Sequence, residues 1–566
     1  MVEVPPASSH LARDITLVVL GFCVALMLVG SSGDFPLNDD WAFAASVREM
    51  LDHGTFRPSQ WAAMTLLTQV LWGSAFTAVA GYSFDVLRFS TAVMALIGAI
   101  ATYLLLRASD QPRWLCQLTT WTVAFTPLYF VLSVTFMTDV PFTALLLLSA
   151  LFFVRHLHTD ARTTLLLAIM FSLAAVMTRQ LAVALPIAYA ITYVLRHGLG
   201  WRRIGVALVP VALAVVGFLV YRWWLAGSGR LPAVSDGQAM WFLRSLMMPA
   251  TLTIFARNFY VAFVYLGLFL LPVTLAIAAI RSRLERARLV RVMFGASALV
   301  VLLAVITRTR DGAQLMLMPL ADNLLVPSGL GPVVLRDQYL LRLDNIAPLP
   351  QAFWIVVTVV AMFGAALLLA LIVISVIDLI KCLRHKRLDA RSATSLLLLL
   401  TVAAYLFPLL VTAFFDRYLV PAVPLLAAGL AAALVPSQAV EPGRATKAVS
   451  VVLIAAMAAF SIAGTHDYLA WNRLRWQMLD DLMQSHHLTA ADIDGGFEFN
   501  GMLGYDPNYV ASEGKSSWWI QRDTWQIGFG GVPGYSIVEQ RSYPTWLPNG
   551  PGHLVVLKKN DVATSP

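Results

Sequence analysis

Apolar stretches long enough to cross a bilayer recur along most of the 566-residue chain. A hydrocarbon core about 30 Å thick is spanned by about 20 apolar residues in a helix. Within it every backbone N–H and C=O must be satisfied inside the segment, so repeated runs of this kind leave a helical bundle as the fold. Windows of that length place about thirteen spans, near 15 to 31, 86 to 106, 114 to 134, 139 to 157, 163 to 178, 180 to 195, 204 to 224, 256 to 280, 290 to 307, 352 to 380, 392 to 413, 417 to 435 and 447 to 465. With 59% hydrophobic and 13% charged residues and a mean hydropathy of +0.73, the composition excludes an ordinary soluble enzyme.

Arginine and lysine give the orientation. If the spans alternate, the segments holding Arg13, Arg107 and Arg113, Arg155 and Arg162, Arg196 to Arg203, Arg281 to Arg291, 381 to 391, and Arg444 with Lys447 fall on one side. They carry half of the 40 Lys and Arg, and the positive-inside rule makes that side the cytoplasm. The net charge of +8 is this loop bias, so it implies topology and no nucleic-acid partner. The first apolar run lacks an A-x-A-like cleavage site and reads as an uncleaved anchor. Cys23, Cys116 and Cys382 are far apart and suggest neither a disulfide framework nor a metal knuckle.

Four stretches then face outward: 32 to 85, 225 to 255, 308 to 350, and 466 to 566. In the first, WAFAASVREMLDHG and SQWAAMTLLTQVLWGSAFTAVAG read as helices lying along the interface, because a crossing by the second would turn every later basic loop outward. A transmembrane part thus covers 1 to 465, followed by a small α/β outer domain over 466 to 566, which holds 7 Lys and Arg against 11 Asp and Glu. There LAWNRLRWQMLDDLMQSHH reads as a helix, and GFEFN, YSIVEQ and HLVVLKK as short strands. The DIDGGFEFNG segment reads as a turn of a β-hairpin, or as a carbohydrate contact through Asp494, Glu498 and Asn500. Trp518 and Trp519 are far from any span and suit stacking on sugar faces.

Adjacent acids, Asp39 and Asp40, stand in LNDDWAF just beyond the first span, and Asp139 stands in FMTDVPF between the third and fourth. Each can cap a helix. Each can also serve chemistry, Asp39 as a general base toward a hydroxyl or amine held at the membrane surface, and all three map to the same face. Basic residues at outer span ends run against the general bias: Arg179, Arg222, Arg257, Arg308, Arg310 and Arg417. Guanidinium forks there can anchor to the interface or grip a phosphate bidentately.

The chain resembles the polyprenyl-phosphate-sugar-dependent glycosyltransferases of the GT-C fold, in particular the group with protein O-mannosyltransferases and the lipid A aminoarabinose transferase. FPLNDDWAF, FMTDVPF and DRYLVPAVPLLA carry the likeness, in order and sidedness, over residues 15 to 465. Asp40 and Phe43 stand where many relatives have Glu and Tyr, and Arg179 with Gln180 where Lys-Gly is frequent. The resemblance implies an all-α polytopic membrane protein of GT-C type in a bacterial inner membrane, its C-terminal domain periplasmic. It would transfer sugar from a polyprenyl-phosphate carrier in the membrane lipid to an outer-face acceptor, a glycan, lipid or protein. Asp39 would be the base of an inverting displacement, with Asp40 and Asp139 in support. Arg179 and Arg417, with Arg222 and Arg257, would bind donor phosphate; Trp41 and Tyr418 would meet the acceptor. A divalent metal could bridge acids and phosphate, though nothing in the spacing demands one. The competing class is a transporter or flippase of lipid-linked saccharides, which calls for charges at the midplane and paired repeats; neither is visible here.

Overall fold

The computed structural model describes residues 7–311, 317–321, 323–385, 388–511 and 518–560. Among them, 10 helices are long and apolar enough to cross a membrane, and each falls on an expected span. The remaining expected spans are short or broken. The one at 114 to 134 is a helix Arg113–Ala124 and, after a break before Pro127, a second helix Pro127–Leu132; proline supplies no N–H to continue the first ladder. That at 163 to 178 is the 15-residue helix Arg162–Val176. The third begins as a 3₁₀ turn, Gln180–Val183, and continues as the helix Ala184–His197.

Contacts at the two ends agree with the alternation of spans. Asp14, fully buried, accepts from Arg113 Nε at 2.7 Å, Gln117 at 2.8 Å and Tyr103 at 2.7 Å, while His158 meets Thr394 at 3.1 Å. All belong to the basic end. Both ends of the helix Leu67–Ala80 lie among expected outer residues: Thr65 donates to the Val176 carbonyl at 2.7 Å, and the Phe84 N–H donates to Asp34 at 2.7 Å. This helix therefore runs along the surface and does not cross. The helix Asp40–His53 beside it is the other interfacial segment.

Close helix approach needs small residues. Where Thr251–Ala279 packs on Gln351–Arg384, Gly267 and Gly364 meet so tightly that a Cβ on either would overlap the other helix's backbone.

The last span is the start of a 43-residue helix, Arg444–His486, which runs unbroken through position 466 into the tail. Beyond it lies a four-stranded sheet of β3 (Ile493–Asp494), β4 (Trp525–Gly528), β5 (Tyr535–Tyr543) and β6 (Gly552–Lys559), in the order β3-β4-β6-β5; only the β3/β4 pair is parallel. An antiparallel hairpin, β1 (Leu325–Val326) and β2 (Gly329–Leu330), belongs to the loop ahead of Gln351–Arg384. YSIVEQ and HLVVLKK are strands. GFEFN is not: Phe497–Gly504 is a helix, buried from Phe497 through Gly501. A segment covered on every side shows no preferred face, and its Phe-x-Phe alternation is misleading for that reason.

Candidate active site

Side chains aimed at its backbone fix the loop that carries the acidic pair. Arg88, 3% exposed at the outer end of Phe84–Ala108, donates to the carbonyls of Ser31, Gly33 and Phe35, and its guanidinium lies 4.5 Å from the Phe35 ring. Asp85 accepts from the Gly33 N–H at 2.8 Å, and Arg473 donates to the carbonyls of Gly30 and Ser32 at 2.8 and 2.9 Å. Asp40, fully buried, accepts from the N–H groups of Leu37 at 2.6 Å and Phe136 at 3.2 Å. Burial pushes its carboxyl up to about 8, against the pull of Arg88 and the two N–H groups. Asn38 takes the left-handed conformation at φ 58°, which Asn tolerates better than most residues, and its N–H donates to Glu498 Oε1 at 2.9 Å.

This path turns Asp39 away from the helix it precedes. Its side chain makes no capping bond; one oxygen accepts from Trp61 Nε1 at 2.9 Å, and the other lies 3.2 Å from Arg417 Nη2. Arg417 stands in the 3₁₀ turn Asp416–Leu419. The neighbouring Asp416, buried, faces the opposite way and accepts from Leu324 and Leu325 N–H groups at 3.1 and 2.8 Å, which ties the turn to the loop over 317 to 350. Arg417 is 7% exposed, and its Nε and Nη1 have no hydrogen-bond partner among the described residues.

Asp139, fully buried at the first position of Asp139–Thr159, makes no cap either. It lies 2.9 Å from Arg179 Nη1, and Arg179 Nε donates to Thr138 Oγ1 at 2.8 Å. Arg179 owes its place to the extended residue between Arg162–Val176 and the following 3₁₀ turn. The Tyr418 ring joins the two pairs: the guanidiniums of Arg179 and Arg417 lie 5.7 and 5.8 Å from its centroid. Tyr405 steadies that residue by donating to its carbonyl at 3.0 Å.

A cavity of about 520 Å³ opens on Asp39 and Arg417. Trp61, Phe415, Phe497, Trp518 and Tyr339 supply aromatic surface, while Asn323 and Gln338 bring buried amide oxygens that lack a partner among the described residues. The walls come from four separate parts of the chain: the first outer loop, the 323 to 348 loop, the Arg417 turn and the tail.

Other residues singled out in the sequence lie elsewhere. Arg222 donates to the Ser235 carbonyl at 3.2 Å, Arg257 is exposed on its helix, and neither lines the cavity. Trp41, 4% exposed, packs within an aromatic cluster with Tyr505 at 5.6 Å and Trp519 at 5.7 Å, so Trp61 and Trp518 face the cavity in place of Trp41 and Trp519. The side chains of Arg308 and Arg310 lie outside the described residues. Asp494 accepts from Asn500 at 2.9 Å and Glu498 from Arg475 at 2.9 Å, and burial turns both carboxylates inward, away from solvent. Arg88 and the 323 to 348 loop were not evident as parts of a site, and Glu498 was read as a carbohydrate contact, not as a partner of Asn38. Arg88 had one signal, a charge just inside an apolar span. Among the described residues no three His, Cys, Asp or Glu side chains converge as a metal site.

Two carboxylate–guanidinium pairs, Asp39–Arg417 and Asp139–Arg179, thus flank the Tyr418 ring, and the first of them opens on the cavity. Residues 70–225 match the family model of the dolichyl-phosphate-mannose-protein mannosyltransferases, the group to which the motifs are similar. The matched stretch includes Asp139, Arg179 and Arg222, but neither Asp39 nor Arg417. Among solved structures the chain is similar to ArnT from Cupriavidus metallidurans bound to undecaprenyl phosphate, with 13% identity over 99% of this chain and 100% of that one and a TM-score of 0.40. For apo ArnT the values are 15%, 96%, 98% and 0.36. No curated protein matches the sequence.

Proposed function

We propose that this protein is an inverting glycosyltransferase that moves a sugar from a polyprenyl-phosphate carrier to an acceptor at the periplasmic face of a bacterial inner membrane. The observation that carries the reading is Arg417: it is buried at the cavity, held to Asp39 through Nη2, and has Nε and Nη1 without hydrogen-bond partners among the described residues. The N–H donors on those two nitrogens suit phosphoryl oxygens. The family model supports the donor class, and the basic loops at the opposite end support the sidedness.

In the reaction, an acceptor hydroxyl or amine attacks the anomeric carbon from the face opposite the phosphate. The new bond forms as the anomeric carbon–oxygen bond breaks, the acceptor proton goes to Asp39, and the electron pair leaves with polyprenyl phosphate. That leaving group is a stable anion, so it needs charge neutralisation more than protonation; Arg417 supplies it, and Arg179, fixed by Asp139, adds to the positive field. Asp40 holds the loop and does not meet substrate.

The test is transfer of labelled sugar from undecaprenyl-phosphate donors by the full-length protein in nanodiscs, with product stereochemistry read by NMR. Release of polyprenyl phosphate with inverted configuration at the sugar is expected. Retained configuration, or no turnover of any polyprenyl-phosphate sugar across a panel of hexose and pentose donors, refutes the reading.

A further inference from the structure

The tail reaches across the molecule to one peptide group of the catalytic loop. Glu498, in the helix Phe497–Gly504, places one carboxylate oxygen 2.9 Å from the Asn38 N–H and the other 2.9 Å from Arg475 Nη1. Glu498 and Arg475 are both fully buried. The Arg475 guanidinium in turn lies 5.2 Å from the Trp471 ring and 5.6 Å from that of Trp476. A buried ion pair gives little net stability, and a well-packed apolar pair of similar volume often does as well. Its use here lies in the third partner. Asn38 is left-handed and immediately precedes Asp39, so whatever fixes the Asn38 peptide fixes the direction in which the Asp39 carboxylate leaves the loop. Arg88 and Asp40 hold the same loop from the membrane side, at residues 31 to 37. Glu498 is the clamp from the tail, and it acts at the one peptide next to the acid.

We propose that Glu498, oriented by Arg475, is a positioning residue for Asp39: the tail sets the aim of the base as well as walling the cavity. This rests on the reading of Asp39 as base, and the experiment separates the two.

Removing Glu498 alone would leave Arg475 buried without its ion-pair partner and strongly destabilise the tail, so the comparison uses two neutralised pairs in the full-length protein. Arg475→Gln with Glu498→Gln removes both charges and keeps an oxygen for the Asn38 N–H. Arg475→Met with Glu498→Leu removes the charges and the oxygen. The Gln pair is expected to keep kcat within about threefold of wild type. The Met/Leu pair should lose at least tenfold in kcat with donor KM within twofold, and its amides over 33 to 43 should exchange with deuterium at least tenfold faster than in the Gln pair. Equal kcat in the two pairs overturns the proposal. If wild type transfers no sugar, the proposed function fails by itself and exchange decides the clamp: equal rates over 33 to 43 in the two pairs overturn it. Should either pair fail to fold, the wild-type protein decides, because a clamped Asn38 amide must exchange at least tenfold more slowly than the exposed Ser32 amide, and equal rates overturn the clamp.

Discussion

Asp39→Asn changes one atom of a side chain whose two oxygens each accept from a donor. The carboxylate accepts from Trp61 Nε1 at 2.9 Å and from Arg417 Nη2 at 3.2 Å. Asn has one acceptor, so in either flip its NH₂ faces a donor and one bond is lost. An unsatisfied buried donor costs about 1–3 kcal/mol, and the lower end applies here because the side chain is 18% exposed. General-base catalysis contributes about 10²–10⁴ in rate, or about 2.7–5.4 kcal/mol at roughly 1.36 kcal/mol per tenfold. The expected signature is therefore a kcat at least a hundredfold lower in a variant whose thermal midpoint falls by only a few degrees. Donor KM should not rise, because losing the carboxylate leaves Arg417 a further N–H for phosphate. Steady-state transfer from undecaprenyl-phosphate sugar in nanodiscs, with melting of the same preparation, measures both. A kcat within threefold of wild type refutes the assignment of the base, and so does a loss carried wholly by donor KM.

Arg417→Lys keeps the charge but not the fork; donor KM in the transfer assay should rise at least tenfold, and an unchanged KM would remove Arg417 from the phosphate. Asp40 titrates from an ordinary 3.8 to about 8 on folding, so between those values the folded protein holds more protons and stability falls as pH rises. The melting midpoint should accordingly be higher at pH 5 than at pH 8, and Asp40→Asn should flatten that slope; an unchanged slope would show that other groups set it. Gly267→Ala forces a methyl into the Gln351–Arg384 backbone and should lower stability by about 1–3 kcal/mol or more, seen as an earlier unfolding transition in detergent.

The membrane part of this fold is legible in the sequence because bilayer physics writes it there: apolar length marks the spans, and Arg and Lys mark the sides. That sidedness is also why Asp39, Asp139, Arg179 and Arg417 could be grouped before any distance was known. What closes the site was not legible. Glu498 meets Asn38 across 460 positions, and Asp416 meets Leu324 across 92, and neither pairing leaves a local pattern. Trp41 and Trp61 are equivalent in sequence, interfacial aromatics of one loop, and only packing sends the first into the interior and the second to the cavity. Arg222 and Arg257 failed for a related reason, since lying at the right depth of the bundle does not fix which way a side chain points around it.

The unbroken Arg444–His486 helix makes the last span and the tail one mechanical piece. Its 43 residues extend about 64 Å at 1.5 Å per residue, of which about 30 Å lies beyond position 466. Over that arm, a tilt of roughly two degrees in the membrane displaces the far end by about 1 Å, on the scale at which catalytic alignment is lost. Bilayer thickness, by setting the tilt of this span, thereby becomes a variable of the reaction, and turnover should depend on the acyl-chain length of the lipid that surrounds the protein.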